Sequence, residues 1–228
     1  EEINAWPALM IMSSFVWLVV AGLLGLVMPA TQIFDLSSDH FYTTLTLHGA
    51  ALTFPFSFQL MMGVGLHRSG GCVGKAITGW LPALTWLSMN LGGAILTVAV
   101  LMGLKVSVIV MFPLPLVGAQ MGVWSMESVI VGFTGIYLVL ACMILCYPLL
   151  VLKMMFFGKK RQELVLSERS LNEPGMLGML LAAATLLLTG LPLVVVGTTL
   201  VLALYKVIPM SLAAWAADPV VFQYTFYL

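Results

Sequence analysis

Residues 176–205 read MLGMLLAAATLLLTGLPLVVVGTTLVLALY, a stretch without a single charged side chain. A helix needs about 20 predominantly apolar residues to cross the hydrocarbon core of a bilayer. The stretch therefore predicts a transmembrane helix over about Met176–Tyr205. The whole chain has the same character, since 61% of its 228 residues are hydrophobic and 8% are charged, whereas soluble domains carry roughly 25% charged residues.

Four further apolar runs precede this one, with no soluble domain or internal repeat between them. They cover about Ala5–Pro29, Tyr42–Leu66, Ala76–Leu104 and Gly122–Leu152, and a shorter stretch, Pro219–Leu228, reads as the opening of a sixth helix. We expect an all-α fold, a polytopic transmembrane helix bundle with five full spans plus the start of a sixth. Residues 1–228 then form a single transmembrane domain.

The basic residues of the loops predict the orientation of the bundle. Two loops hold most of them: Arg68 and Lys75 follow the second span, and Lys153, Lys159, Lys160, Arg161 and Arg169 follow the fourth. Since basic loops stay on the cytoplasmic side, we expect a cytoplasmic N-terminus. Acidic and basic residues are equal in number, and nothing in the sequence indicates a nucleic-acid partner.

His48 is the residue most indicative of function, because it lies about two turns inside the second span. An ionisable side chain in a membrane span is a functional-site hypothesis by default, and imidazole is a good ligand for iron, copper and zinc. The small residues that follow, Gly49–Ala51, leave room for a flat macrocycle beside the helix. The alternative is a histidine that only hydrogen-bonds to a neighbouring helix. His40 and His67 are expected to be solvated or interfacial.

Glu127 and the cysteines allow less specific interpretations. Glu127, near the outer end of the fourth span, is either a proton-relay or cation site or, as we favour, a residue at headgroup level beside Trp124. Cys142 and Cys146 are expected to be buried packing residues. The sequence contains no phosphate loop, catalytic triad or zinc-like spacing, so nothing points to hydrolysis or nucleotide binding.

Several segments resemble subunit I of the haem-copper oxidases. FYTTLTLHG, residues 41–49, is similar to the start of that family's second helix, where a Thr-x-His-Gly core supplies an axial ligand to the low-spin haem. DPVVFQYTFY, residues 218–227, resembles the Asp-Pro segment that opens the sixth helix. FPLPL at 112–116 and the Leu-Pro-Leu at 191–193 are weaker matches. The aromatic pair before LTLHG is closer to the B-type branch, and the loop from His67 to Lys75 lacks the Asn- and Asp-rich entry of the A-type proton channel.

The resemblance implies a function in respiration. The chain would be part of the core subunit of a cytochrome c oxidase-like terminal oxidase, an oxidoreductase and proton translocase in the inner (plasma) membrane of a prokaryote. His48 would be an axial ligand of the low-spin haem, of b- or a-type. Cytochrome c, another small redox protein or quinol would donate the electrons, and a subunit II-like chain would be among the partners.

The resemblance covers only the N-terminal portion of subunit I. The family's copper ligands, and the ligands of its high-spin haem, lie on later helices, so copper and the high-spin haem are expected in the complex without being ligated by this chain. We therefore expect activity only together with the C-terminal half of subunit I, either as a continuation of a truncated chain or as the product of a split gene.

Two alternatives stay open. The first is a nitric oxide reductase of the same superfamily, although the Asp-Pro opening favours an oxygen reductase. The second is a cofactor-free membrane transporter or scaffold subunit, in which His48 and Glu127 would belong to an ion path. Against the transporter stands the absence of paired broken helices and of an internal repeat.

Overall fold

The computed structural model describes residues 5–34, 38–73, 77–104, 124–156, 174–216, 218 and 220–221. Within these ranges the chain is helical and contains no strand. The helices are α1 (Ala5–Ile33), α2 (Ser38–Ala51), α3 (Gln59–Val73), α4 (Trp80–Leu101), α5 (Met126–Ala141), α6 (Tyr147–Phe156), α7 (Pro174–Leu204) and α8 (Met210–Ala213). Two π-helical segments, Leu52–Phe58 and Cys142–Cys146, join α2 to α3 and α5 to α6.

Five helices in the described part of the chain are long and apolar enough to cross a membrane. They cover Ala5–Ile33, His40–Arg68, Trp80–Leu101, Met126–Lys153 and Leu177–Leu204. Each coincides with one of the five predicted spans, which confirms an all-helical chain of multi-pass character. The third is shorter than the predicted Ala76–Leu104, because Gly79 and Gly103 adopt positive φ angles of 102° and 107° at its two ends.

The predicted sixth helix and the predicted orientation stay predictions. Among residues 217–228 only Asp218, Val220 and Val221 are described, and Asp218 Oδ1 accepts hydrogen bonds from the backbone N–H groups of the other two at 2.8 and 3.2 Å. Residues 74–76 and 157–173, which hold many of the basic side chains, lie outside the described residues, as does the FPLPL segment.

Each π-helical segment accompanies a proline. Pro55 lies within Leu52–Phe58, and Pro148 is the second residue after Cys142–Cys146. A proline inside an α-helix lacks the N–H group and clashes with the carbonyl group four residues earlier, here that of Ala51 or Ile144. A π-helical turn is wider than an α-helical one, so it relieves that clash while the span continues.

Helices α4 and α5 pack extensively on one another. A Cβ atom on Gly92 would lie 2.8 Å from the carbonyl oxygen of Gly135, and one on Gly135 would lie 2.7 Å from the backbone nitrogen of Leu96. The two backbones are therefore in direct contact, which only glycine allows. Small residues serve this purpose in membranes, where helix association depends on packing.

Two buried clusters lie at opposite ends of the bundle. Met10, Leu66, Met89 and Val151 belong to one of them. The other contains Ala50, Ala99, Val129 and Leu200, and it lies at the same end as His48. The first and fifth spans are the least buried, with 17% of their most apolar windows buried against 39–44% for the other three. They therefore form the outside of the described bundle.

Candidate functional site

His48 lies in the last turn of α2, half-buried, with its ring against α1. Its Nδ1 atom is 2.8 Å from the carbonyl oxygen of Ala21, a residue that is fully buried. A carbonyl oxygen can only accept, so Nδ1 carries the proton and donates it. The neutral imidazole then has its free electron pair on Nε2. No described residue forms a hydrogen bond to Nε2, and this nitrogen is not among the buried unpaired atoms.

Gly25, one turn beyond Ala21 on α1, provides the space for this ring. A Cβ atom at position 25 would lie 3.0 Å from His48 Cε1 and 3.2 Å from Nδ1. The absence of a side chain at this position therefore lets the imidazole approach the α1 backbone closely enough to reach the Ala21 carbonyl. A Cβ atom on Gly22, in contrast, would have nothing within 4 Å, so this glycine faces away from the histidine.

The sequence suggested that the small residues Gly49–Ala51 leave room for a flat macrocycle beside the helix, but the structure does not leave space beside all three. Ala50 and Ala51 are buried, with 8% and 5% of their surface exposed, and Ala50 packs in the cluster with Leu96 and Leu200. Other helices therefore fill the space beside these two alanines, and of the three small residues only Gly49 is half-buried like His48. The decisive small residue for the imidazole is Gly25, on a different helix.

The other ionisable residues singled out by the sequence lie apart from His48. His40 and His67 are exposed. Glu127 is exposed in the first turn of α5, next to the helix cap in which Ser125 Oγ accepts a hydrogen bond from the Ser128 N–H at 3.1 Å. This position at a helix end suits a residue at headgroup level. An acidic side chain in the first turn of a helix also interacts favourably with the helix dipole.

The two described cysteines are free thiols. Cys142 is buried and donates a hydrogen bond to the carbonyl oxygen of Thr85 at 3.0 Å, and Cys146 is half-buried. Both lie in the second π-helical segment, which places them in packing positions as expected. Among the described residues there is no group of three or more His, Cys, Asp or Glu side chains that could enclose a metal ion.

His48 can therefore act chemically as a single, oriented nitrogen ligand. A haem iron takes four ligands from its macrocycle and needs from the protein only axial ones, one from each side. A histidine whose Nδ1 is tied to a backbone carbonyl and whose Nε2 is free matches the usual arrangement of metal-ligating histidines. The residues present at this site fit one axial position of a haem.

A second polar group, which was not apparent from the sequence, joins α1, α3 and α4. We call it the polar junction; its side chains are Ser13, Trp17, Gln59, Trp86 and Asn90. Apart from Gln32 at the end of the first span, Gln59 and Asn90 are the only amide side chains in the described spans, and that feature could have revealed them. The polar junction contains no ionisable group.

No protein-family model matches this chain, and no curated protein or solved structure matches it either. The resemblance to haem-copper oxidases thus depends on the sequence motifs alone. Of these motifs, the residues around His48 and the Leu-Pro-Leu of α7 lie within the described structure.

Proposed function

We propose that this chain is part of the core subunit of a respiratory terminal oxidase, in which His48 is an axial ligand of a low-spin haem. The observation that supports the proposal is the hydrogen bond from His48 Nδ1 to the Ala21 carbonyl, which leaves the electron pair of the imidazole on Nε2. The bound haem would pass single electrons towards an oxygen-reducing haem–copper centre whose ligands lie on other segments or chains. Reduction of oxygen there would be coupled to proton translocation.

The depth of His48 in its helix supports this role. The span begins at His40, and eight residues of α-helix advance about 12 Å along the axis. Since the headgroup region is roughly 5–7 Å thick on each side of the bilayer, this distance would carry the imidazole past the headgroups and into the outer part of the hydrocarbon layer. A low dielectric and the exclusion of bulk water around the ligand are two of the means by which proteins tune haem potentials.

The Ala21 carbonyl would have two effects on His48 as a ligand. It fixes the rotation of the ring, and it polarises the Nδ1–H bond, which makes Nε2 a stronger electron donor. A stronger axial donor favours the oxidised iron and so lowers the reduction potential. Because Ala21 is fully buried within α1, its carbonyl group is held in place by the helix and offers a fixed anchor.

The visible absorption spectrum of the protein in its native assembly tests the proposal. We expect a low-spin haem band in the reduced-minus-oxidised spectrum, separate from the signal of the high-spin haem of the complex, and we expect this low-spin band to be lost in His48→Ala. The matched control is His67→Ala, which removes an exposed histidine from the same continuous span and should leave the band intact. A low-spin band that persists in His48→Ala would assign the ligand to another residue, and an intact assembly without a low-spin haem band would overturn the proposal.

Gas consumption by the haem-loaded assembly separates the two reductases. Uptake of oxygen with a suitable electron donor supports the terminal oxidase, whereas uptake of nitric oxide without oxygen reduction supports the alternative enzyme of the same superfamily. A cofactor-free transporter or scaffold subunit would show no haem band, and the His48→Ala variant would then assemble with an unchanged spectrum.

A further inference from the structure

The polar junction is built on a reciprocal pair of hydrogen bonds between α1 and α4. Trp17 of α1 donates its indole N–H to Asn90 Oδ1 of α4 at 2.9 Å, and Trp86 of α4 donates to Ser13 Oγ of α1 at 3.0 Å. Within each helix the two partners are four residues apart and thus share a face. The Asn90 amide is satisfied at both ends, since its Nδ2 donates to the Trp86 carbonyl oxygen at 2.8 Å.

Gln59, the first residue of α3, enters this junction with only one end of its amide partnered. Its Nε2 donates to Ser13 Oγ. Its Oε1 is buried and has no hydrogen-bond partner among the described residues, while the side chain as a whole is 1% exposed. A buried acceptor without a partner costs roughly 1–3 kcal/mol, and in a bilayer no bulk water relieves that cost.

Ser13 cannot supply the missing hydrogen bond. Its hydroxyl oxygen already accepts from Trp86 and Gln59, and its single proton lies between the carbonyl oxygens of Leu9 and Met10, at 2.8 and 3.2 Å. Exchanging the oxygen and nitrogen of the Gln59 amide does not help, because Nε2 would then be the end without a partner. In either orientation one end of the amide requires a further hydrogen-bonding group.

One buried acceptor of the junction lacks a donor among the described residues. Gln59 Oε1 has no donor, and the Leu9 and Met10 carbonyls share one proton beyond their helix hydrogen bonds. The missing partner must therefore be small and able to donate to Gln59 Oε1. A hard metal cation would require several oxygen ligands, usually including a carboxylate. The polar junction contains no carboxylate. Water fits these requirements, since internal waters bind at otherwise unsatisfied polar groups.

We propose that Gln59 binds an ordered internal water molecule at the junction of α1, α3 and α4. The water donates one proton to Gln59 Oε1 and the other to a carbonyl oxygen of the first helical turns of α1. It joins the start of α3, directly after the π-helical segment, to α1 within the apolar layer. This inference does not depend on the presence of haem at His48, which lies on α2.

The sign of a stability change tests the proposal. Gln59→Met keeps the length of the side chain and removes the amide. If the water is bound, the substitution loses two hydrogen bonds and lowers the thermal unfolding midpoint of the purified protein by about 2–4 °C or more. If Oε1 has no partner, the same substitution removes a buried unsatisfied acceptor, and the midpoint stays unchanged or rises.

The matched control is Asn90→Leu, which removes the fully satisfied amide of the same junction. We expect it to lower the midpoint to a similar extent as Gln59→Met. A midpoint for Gln59→Met that equals or exceeds that of the unsubstituted protein, beside a clear decrease for Asn90→Leu, overturns the proposal.

Infrared spectroscopy detects the proposed water directly. The infrared difference spectrum between the unsubstituted protein and Gln59→Met, each in its native assembly in lipid nanodiscs, should contain an O–H stretching band. That band should shift to lower frequency when the solvent is exchanged for H₂¹⁸O. A difference spectrum that is insensitive to the oxygen isotope shows that Gln59 holds no exchangeable water, whatever the stability data.

Discussion

Substitution of Gly25 by alanine perturbs the proposed ligand without touching it. The added Cβ atom would lie 3.0 Å from His48 Cε1 and 3.2 Å from Nδ1, closer than carbon atoms pack at their optimal separation of about 3.5–4.0 Å. The ring therefore has to retreat by roughly half an ångström. Retreat from α1 lengthens the 2.8 Å hydrogen bond between Nδ1 and the Ala21 carbonyl oxygen.

The size of the effect follows from that hydrogen bond. A net contribution of about 1 kcal/mol is typical, so its loss lowers haem affinity about fivefold, since 1.4 kcal/mol corresponds to a factor of ten. The weaker hydrogen bond also makes Nε2 a poorer donor, which raises the reduction potential of the haem. If half of the 1 kcal/mol is specific to the oxidised state, the potential rises by about 20 mV, since a tenfold change corresponds to 59 mV for one electron.

A redox titration followed by visible spectroscopy measures both quantities. The native assembly carrying Gly25→Ala should show a higher midpoint potential and a lower haem content at limiting haem supply. Gly22→Ala is the matched control, because it makes the same chemical change three residues away on the same helix, where nothing lies within 4 Å. Both variants gain the same helix propensity from the change of glycine to alanine, so their difference reports the contact with His48.

Identical potentials and haem contents in the two variants would refute this reasoning. That outcome would mean that the hydrogen bond to the Ala21 carbonyl does not tune the ligand, even if His48 binds the iron. The same rise in potential and fall in haem content for Gly22→Ala would point instead to a general disturbance of α1.

Two further predictions concern stability, with the thermal unfolding midpoint as the measurement. Gly135→Ala should lower the free energy of unfolding by about 1–3 kcal/mol, because the new Cβ atom would collide with the α4 backbone. Gly178→Ala is the control, since a Cβ atom there meets open space and should not lower it. Equal unfolding midpoints for the two variants would contradict the direct contact of α4 and α5. Lys206→Gly should stabilise the protein by about 1 kcal/mol, since Lys206 has a φ angle of 59° at the end of α7, and Lys206→Ala should have no such effect. Gly103→Ala, at the equivalent position after α4, should destabilise it by a similar amount.

The end of α7 explains the direction of the Lys206 prediction. The N–H group of Val207 bonds to the Leu202 carbonyl oxygen at 2.9 Å, and that of Lys206 bonds to the Ala203 carbonyl oxygen at 3.0 Å. This pair of hydrogen bonds is the Schellman ending of a helix, which favours glycine at the left-handed position. The same pair follows α4, where Gly103 occupies that position.

The sequence predicted the spans well and the interior of the bundle poorly. Length and apolar character indicate which segments are helices long enough to cross a bilayer, because an unpaired backbone is too costly in lipid and a helix satisfies it internally. The π-helical turn around Pro55 could not be predicted, since a proline also fits into a continuous α-helix, as Pro192 does in α7. The third helix is shorter than predicted because Gly79 and Gly103 adopt positive φ angles at its two ends. Those angles depend on the turns that the glycines form, which the sequence alone does not specify.

His48 was recognisable from sequence because an ionisable side chain is rare in an apolar run. Its partners were not, because Ala21 contributes a backbone carbonyl and Gly25 contributes the absence of a side chain. The amides of Gln59 and Asn90 were recognisable as rare residues in apolar spans, but their grouping in the polar junction was not, since Ser13, Gln59 and Trp86 are distant in sequence.

The amino-acid sequence was enough to predict the five apolar helices of membrane-spanning length that the described part of the chain contains, and to predict that His48 lies inside the second of them. Only the tertiary structure decided which way each helix faces. The reason is physical: lipid tails are as apolar as a protein core, so a membrane helix need not carry the polar face that reveals the orientation of a helix in a soluble protein. The rotation of α2 that brings His48 against Ala21 and Gly25 is set by packing between helices, and it defines the geometry of the proposed ligand.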